Sequence, residues 1–352
     1  MESRETERVG CIGAFATGTR EFLGGGERSQ MHCAIVRGGG VGEMLSHRPV
    51  MPDEVLELLA PKAGGAYLDA TFGGGGHTRA ILEAEPEASV VAADWDPDAG
   101  ERAKAFADAW GGRFEFLDLG LQDLGNLGEA RFDGALLDLG LSSYQIETPS
   151  RGFSYSRHGP LDMRMNPRNG VPASVFLETA SKSDLVRAVR DFGEEPSWRR
   201  VVAAILRARG SGRLADTTGL AGVVSAAVLP NRNRRARIHP ATRTFQGIRI
   251  AVNNELRGIE AGLAAAFALL VPGGVLATLG FHSLEDRIVK RAFRRWAGMP
   301  ESRFDARPQQ ERTRCAQMLT NRPLRPSERE TDQTPRSRSA RLRAIRKLGG
   351  QA

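Results

Sequence analysis

The sequence predicts an α/β protein built on a parallel sheet and interrupted by an all-helical insertion. Three observations carry that expectation. Short apolar runs, each closed by an acid, alternate with helix-length segments between about residues 47 and 138, the grammar of strand–helix units with helices on both faces of a sheet. The first run leads into a glycine cluster, Tyr67-Leu-Asp-Ala-Thr-Phe-Gly-Gly-Gly-Gly-His-Thr-Arg-Ala-Ile-Leu82, which reads as strand, tight turn and helix start. From Ser142 to about Ile238 the strand pattern vanishes, helical patterns replace it, and strands return only afterwards.

Pro52 to Leu59 is a short amphipathic helix with acids in its first turn, and Pro61 to Gly65 ends it. Ala66 to Thr71 is the first buried strand, followed by the glycine turn and a helix to about Glu85. Ser89 to Asp94 is the second strand, and Pro97 stands in the first turn of the next helix. Arg113 to Leu117 and Phe132 to Asp138 are the third and fourth strands. The insertion opens with a polar, Gly/Pro-punctuated stretch (Thr148 to Asn169) and carries helical patterns at Val175–Thr179, Ser183–Phe192, Trp198–Ala208 and Thr217–Val228. A long helix from Thr242 to Leu270, a strand at Gly274–Leu279 and a helix at Leu284–Trp296 follow. The alternating segment Ala340–Ile345 is expected at the edge of the sheet, where charge-rich strands are tolerated. The expected division is a discontinuous domain of residues 46–141 and 239–352, an insertion of residues 142–238, and a poorly ordered extension of residues 1–45, in which Met31 and Met44 are alternative starts.

Composition narrows the function classes. A hydrophobic content of 41% supports a sizeable core, yet no apolar run approaches the roughly 20 residues that span a bilayer. The first residues lack the basic-then-apolar order of a secretory signal. Cys11, Cys33 and Cys315 are scattered, forming neither a disulfide framework nor a metal cluster, as suits a reducing cytoplasm. The net charge is +7 and the pI about 9.8. Arginines cluster at Arg232, Arg234, Arg235 and Arg237, and again at Arg336, Arg338, Arg341, Arg343 and Arg346, which makes nucleic acid a candidate partner.

Asp69, Asp94, Asp118 and Asp138 stand at or near the ends of the four proposed strands, where open parallel sheets bind ligands. An acid after the second strand is placed to accept hydrogen bonds from both hydroxyls of a ribose. The glycine run does not supply Gly-x-Gly-x-x-Gly, because Thr78 occupies the place of its last small residue, and no Gly-Lys-Ser/Thr follows. A nucleoside bearing an amino acid in place of phosphates, S-adenosylmethionine, suits this pattern better than a dinucleotide or a nucleoside triphosphate.

Six motifs then occur in order: Asp69-Ala-Thr-Phe-Gly-Gly-Gly-Gly-His77, Leu137-Asp-Leu-Gly-Leu-Ser-Ser143, Arg151-Gly-Phe-Ser-Tyr, Gly159-Pro-Leu-Asp-Met-Arg-Met165, His239-Pro-Ala-Thr-Arg-Thr-Phe-Gln246 and Phe281-His-Ser-Leu-Glu-Asp-Arg287. From about His47 to Arg346 the chain closely resembles the bacterial small-subunit rRNA cytosine-N4 methyltransferases (the RsmH, or MraW, family). The resemblance implies a class I (Rossmann-like) methyltransferase sheet with a helical insertion that serves RNA recognition. It implies methyl transfer from S-adenosyl-L-methionine, leaving S-adenosyl-L-homocysteine, to the exocyclic amine of a cytidine in the decoding centre of 16S rRNA, within the small ribosomal subunit, with no metal. Carried over position by position, the cofactor contacts fall on Gly75, Gly76, His77, Asp94, Leu121, Asp138 and Gln145. Four departures stand out: Gly74 and Tyr144 where the family commonly has arginine and proline, Leu121 in place of an aromatic, and Thr334 in place of asparagine.

Cytosine's exocyclic amine is a poor nucleophile, so the enzyme must draw off N–H density and align the nitrogen with the methyl group. Asp138, or a carbonyl beside it, is the expected acceptor, competing with its cofactor role, and Ser142 and Ser143 shape the pocket. His282 follows the last parallel strand and is a candidate to touch the base; Ser283, with Asp286, is expected to cap the next helix. Arg243, Arg249 and the Arg232–Arg237 cluster are expected to contact phosphates, and the target base to be unstacked when it reaches the methyl group. The expected setting is cytoplasmic, without membrane contact and as monomer or homodimer. Two other classes stay open at this point: an RNA-binding assembly module that retains the fold without transfer, and a methyltransferase acting on protein or DNA.

Overall fold

The computed structural model describes residues 48–228 and 239–349. The 1–45 extension and Arg232, Arg234, Arg235 and Arg237 lie outside the described residues. Seven strands form one sheet: β1 (Ala66–Asp69), β2 (Ser89–Asp94), β3 (Phe114–Asp118), β4 (Phe132–Asp138), β5 (Leu270–Gly280), β6 (Ala316–Met318) and β7 (Arg341–Lys347). Their order is β3-β2-β1-β4-β5-β7-β6. β1 to β5 run parallel, and β7 is antiparallel to both β5 and β6. This is the strand order of class I methyltransferases, as expected. The direction of strand succession reverses between β1 and β4, and that switch point opens a crevice at the carboxyl ends of the strands.

Along the chain the helices are α1 (Pro52–Leu59), α2 (Gly76–Ala84), α3 (Pro97–Trp110), α4 (Ser143–Glu147), α5 (Ala173–Thr179), α6 (Lys182–Val186), α7 (Trp198–Ala208), α8 (Thr217–Ala227), α9 (Thr242–Asn253), α10 (Glu255–Leu269), α11 (Ser283–Trp296) and α12 (Glu328–Gln333). Strand alternation divides the apolar residues between two cores. Tyr67 and Leu136 face a layer with Val55, Leu59 and Ile81 of α1 and α2, whereas Leu68 and Leu137 face Ile259, Leu263 and Phe293 of α10 and α11. Burial on both faces is why these strands read as unbroken apolar runs.

The helical patterns after Ser142 form α5 to α8 around a third core. Leu161, Leu177, Val201, Ile205 and Leu220 belong to it, and so do Phe245 and Ile248 of α9. The hydrophobic unit of the insertion therefore extends past residue 238 into α9. Gly247 makes this approach feasible: a Cβ there would stand 2.1 Å from the Ala188 carbonyl oxygen.

Two expectations are corrected here. The single helix expected from Thr242 to Leu270 is two helices, because Asn254 takes a left-handed conformation (φ 51°, ψ 35°) between α9 and α10. Asparagine tolerates that region better than most residues, and the bend lets α9 serve the third core while α10 covers the sheet. β7 is also not an edge strand. It lies between β5 and β6, with the three-residue β6, too short to leave a sequence pattern, at the edge. Its arginines are tolerated inside the sheet because Asp286 of α11 neutralises them, accepting from Arg343 Nε at 2.7 Å and Arg341 at 3.1 Å. Burial alone would raise the Asp286 carboxyl, but Arg343 and Arg341 hold it below the usual carboxylate range.

Removing Asp286 leaves the buried Arg343 charge without a partner. Asp286→Ala is expected to cost about 3 kcal/mol, measured by urea unfolding. The same depressed carboxyl supplies stability that is complete above the ordinary aspartate range and lost as pH falls through its folded value, so the wild-type advantage should shrink only below about pH 4.

Candidate active site

The crevice is built around the turn between β1 and α2. Gly73 and Gly75 have positive φ (53° and 76°). At Gly75 a Cβ would lie 2.8 Å from Phe106 and 2.9 Å from Phe72, two rings packed edge to face beneath the turn, so only glycine fits. The turn is then tied to its neighbours. The Gly73 N–H donates to Asp94 Oδ2 at 2.8 Å, and the Gly73 carbonyl accepts from Arg102 Nε at 2.9 Å. The Arg102 guanidinium lies 4.3 Å from the centre of the Tyr144 ring. That ring sits over Gly74, where a Cβ would come within 3.0 Å of it. The two departures from the resembling family, Gly74 and Tyr144, thus share one space.

Gly73, Asp94, Leu121, Asp138, Ser142 and Gln145 line one cleft. Of the expected cofactor residues, Gly75, Gly76 and His77 stand behind that wall. Gly75 is packed on the phenylalanines, Gly76 on Pro49, and His77 is buried with its Nε2 3.6 Å from Asp138 Oδ2. Neither ring nitrogen of His77 has a hydrogen-bond partner among the described residues. Asp69 is buried beneath the turn, accepting from Thr78 Oγ1 at 2.7 Å; burial pushes its carboxyl up, opposed by His77 and Thr78. Asp118 faces outward and pairs with Arg168 at 2.6 Å.

Ser142 is the N-cap of α4. Its Oγ accepts from the Gln145 N–H, and Gln145 Oε1 accepts from the Ser142 N–H, a reciprocal capping box. Gln145 Nε2 donates to Asp96 Oδ2 at 2.7 Å. Arg151 reaches the same carboxylate at 3.0 Å and Asp98 at 2.5 Å, and its other terminal nitrogen donates to the Arg164 and Met165 carbonyls. Ser143 occupies the first turn of α4, outside the cleft lining. Sequence reasoning assigned no role to Asp96, Arg151, Asn253 or Glu255. The signal for the first two was present in Asp94-Trp-Asp-Pro-Asp98 and Arg151-Gly-Phe-Ser-Tyr, but their meeting is long-range. Asn253 fastens the insertion to the crevice: its Nδ2 donates to the Met163 carbonyl at 2.7 Å, and its Oδ1 accepts from the Met165 N–H at 2.7 Å.

His282 lies outside the cleft and corrects the capping expectation. It, and not Ser283, is the N-cap of α11, in a box with Glu285, and Ser283 Oγ donates to Glu194 across to the insertion. Asp286 is absent from the box because it is committed to β7. Arg249 is likewise placed differently from the expectation of a phosphate contact. Its guanidinium is buried in a two-pronged pair with Glu255 (2.9 and 2.8 Å) and lies 3.8 Å from Glu285. Burial pushes the Glu255 carboxyl up, and Arg249 opposes it. Glu255, His282 and Glu285 bring ligand atoms within 4.8 Å of one another, but Arg249 already supplies the cation of that cluster. Arg243 is exposed on α9, away from the cleft lining.

The donor set of the cleft defines what it can hold. Asp94 and Asp138 contribute carboxylates, Glu255 being already paired with Arg249, and no lysine or arginine lines it among the described residues. Phosphates would meet repulsion there, whereas a ligand carrying an ammonium and a sulfonium would be attracted. Leu119, Leu121, Met165 and Ile259 offer apolar walls to a purine. Burial pushes the Asp94 carboxyl up to about 6, against the N–H donors of Asp96 and Gly73 that lower it.

Comparison with known proteins agrees. Residues 44–348 match the MraW methylase family. The chain belongs to that family. It is 46% identical over 315 residues to the ribosomal RNA small subunit methyltransferase H of Thermomicrobium roseum, covering 86% of this chain and 94% of that protein. It is 43% identical to the protein of the same name from Geobacter sulfurreducens (86% and 99% covered) and 45% identical to that of Gluconobacter oxydans (85% and 92%). S-adenosylmethionine is the methyl donor of this methylase. The carboxylate-lined cleft fits it: Asp94 would hold the ribose, the apolar walls the adenine, and Gln145 the amino-acid end. No helix among the described residues is long and apolar enough to cross a membrane.

Two outcomes are expected. An ionised Asp94 would accept the ribose hydroxyls, so cofactor affinity should be constant well above pH 6 and decline on acidification through about 6, by up to roughly tenfold per pH unit. Calorimetric titration of wild type and Asp94→Asn across that range checks it: an affinity as pH-dependent in the variant as in wild type would assign the effect elsewhere. Gly75→Ala should cost about 1–3 kcal/mol from the left-handed backbone, add a collision with Phe72 and Phe106, and weaken cofactor binding at least ~10-fold.

Proposed function

We propose that this chain methylates small-subunit ribosomal RNA, the activity its relatives are named for, and that the acceptor is the exocyclic N4 amine of a cytidine in the decoding centre of 16S rRNA. The observation that carries this reading is the acid-lined crevice in which Asp138 and the Ser142 turn stand beside Asp94. S-adenosylmethionine supplies an electrophilic methyl group and departs as S-adenosylhomocysteine. The residues of the chain then have separable tasks. Asp94 accepts the ribose hydroxyls and, through the Gly73 N–H, fixes the turn that approaches the donor. Asp138 is the cleft acid that leads into the capped α4 turn. Its own N–H donates to Thr71 Oγ1 at 2.7 Å, and its Oδ1 accepts from the Gly140 N–H at 3.2 Å, which holds the carboxylate in place.

When the amine nitrogen gives its lone pair to the methyl carbon it must shed one proton. Asp138 accepts the amine N–H before transfer and takes that proton. Ser142, with Ser143 behind it, forms the wall that positions the ring. The target base enters unstacked, because an amine inside a helix cannot reach a crevice at the end of a sheet. The helical insertion, joined at Asn253 and Arg151, supports this reading as the recognition surface for the surrounding RNA.

The test is incorporation of labelled methyl into small subunits, naked 16S rRNA, DNA and total protein, followed by nucleoside analysis. N4-methylated cytidine in small-subunit RNA is expected. Label in DNA or protein, or cofactor binding with no transfer to any acceptor, would replace this reading with one of its rivals. Asp138→Asn should keep the fold and lower kcat about 10²-fold or more.

A further inference from the structure

The helical insertion carries a second concave feature, a groove between α7 and α8 that shares no residue with the crevice. Arg199, Arg200 and Arg207 of α7 and Arg213 of the following loop line it, over a floor that includes Ala203, Ala204 and Ala227. All four arginines are exposed. Among the described residues none of the four is in an ion pair, while Arg199 rests its guanidinium 4.3 Å from the centre of the Trp198 ring. Arg209, on the same stretch, shows what a structural arginine does here: it turns inward and donates to the Leu177 and Ala180 carbonyls at 2.8 and 2.6 Å. From residue 196 to 254 the sequence contains a single acid, Asp216. Its carboxylate accepts from the Gly219 N–H and the Thr218 hydroxyl at the start of α8, so it is engaged at that helix end.

Several unpaired charges along one groove repel one another and together attract an anion of matching extent. Arg200 and Arg207 are two helical turns apart, about 10 Å along α7, which is the axial span of about three phosphates on one strand of a duplex. The alanine floor lets a sugar–phosphate chain approach the helices closely. Its lack of aromatic side chains offers no stacking platform for bases, so contacts here would position RNA without reading its sequence. A lipid surface is a poor match, because none of the exposed large apolar residues (Val171, Val175, Met299, Phe304, Leu324) borders the groove.

We propose that the α7–α8 groove binds the phosphate backbone of the substrate RNA at a distance from the methylated nucleotide. This rests on RNA being the substrate. The experiment uses the full chain, wild type against Arg200→Gln/Arg207→Gln/Arg213→Gln, with 16S rRNA as the probe. RNA affinity is measured over a salt series, and cofactor affinity and thermal unfolding are measured beside it. The glutamine variant is expected to keep its cofactor affinity and melting temperature, to bind RNA at least about 10-fold more weakly, and to show a salt slope shallower by about two. The corresponding triple lysine variant is expected to restore most of that slope. An unchanged slope in the glutamine variant overturns the proposal. So does a variant that binds naked RNA normally and loses affinity only for assembled subunits, which would assign the groove to a ribosomal protein. Wild-type protein that binds the RNA without methylating it would overturn the activity reading alone, since the groove is judged by the slope. Wild-type protein that fails to bind RNA would overturn both.

Discussion

A carboxylate almost sealed from water must have its charge answered from within the protein, and at Asp96 the answer comes from three separate stretches of chain. Its own helix α3 supplies the Asp98 N–H, α4 supplies the Gln145 amide, and the start of the insertion supplies Arg151. Withdrawing Arg151 strands a buried charge, at a cost of roughly 3–5 kcal/mol. Asp96 also donates its N–H to Asp94 Oδ1, and Asp94 holds Gly73. The position of the glycine turn, the wall that carries Ser142 and the docking of the insertion are therefore one electrostatic arrangement. The crevice exists where that arrangement closes.

The sheet was legible because its information is local. Apolar runs of strand length, acids at their ends and a glycine cluster each leave a signature within a few residues, and the parallel run of β1 to β5 follows from their alternation with helices. The failures were where the deciding contact is distant. Nothing near Ala340–Ile345 indicates that Asp286 neutralises Arg341 and Arg343, so a charge-rich strand read as an edge. Nothing within Thr242–Leu270 marks Asn254 as a bend, because its cause is the need of α9 and α10 to serve different cores. For the site, motif resemblance pointed to loops that line or back one cleft, and geometry then sorted their residues against its lining. Gly73 faces the cleft, while Gly75, Gly76 and His77 support it from behind. Arg249 read as a surface cation and is a buried one, because Glu255 follows six residues later across the bend.

Charge is segregated over the molecule in a way that bulk composition hides. The chain is basic overall, yet acids line the cleft, and a group of arginines that are unpaired among the described residues stands apart from it on the helical insertion. A cationic donor and a polyanionic acceptor can then be attracted by one protein without competing for the same surface. For the proposed base acceptor, the charged backbone would have to stay at the rim, because phosphates are repelled by Asp94 and Asp138 in the crevice.

The neighbour relation of β4 and β5 also has a consequence in time. β4 ends at Asp138, and its partner on one side begins at Leu270. A ribosome extending the chain at about 5–20 residues per second needs on the order of ten seconds to cross that interval. Throughout it, the apolar strand Phe132–Asp138 emerges with one backbone edge unmatched. The insertion is continuous in sequence and has its own core, so it can compact while that edge waits, and the bend at Asn254 is where waiting ends: the helix beyond it covers one sheet face and delivers β5 to the open side. For the nascent protein, the helical insertion is a delay placed between two halves of a sheet.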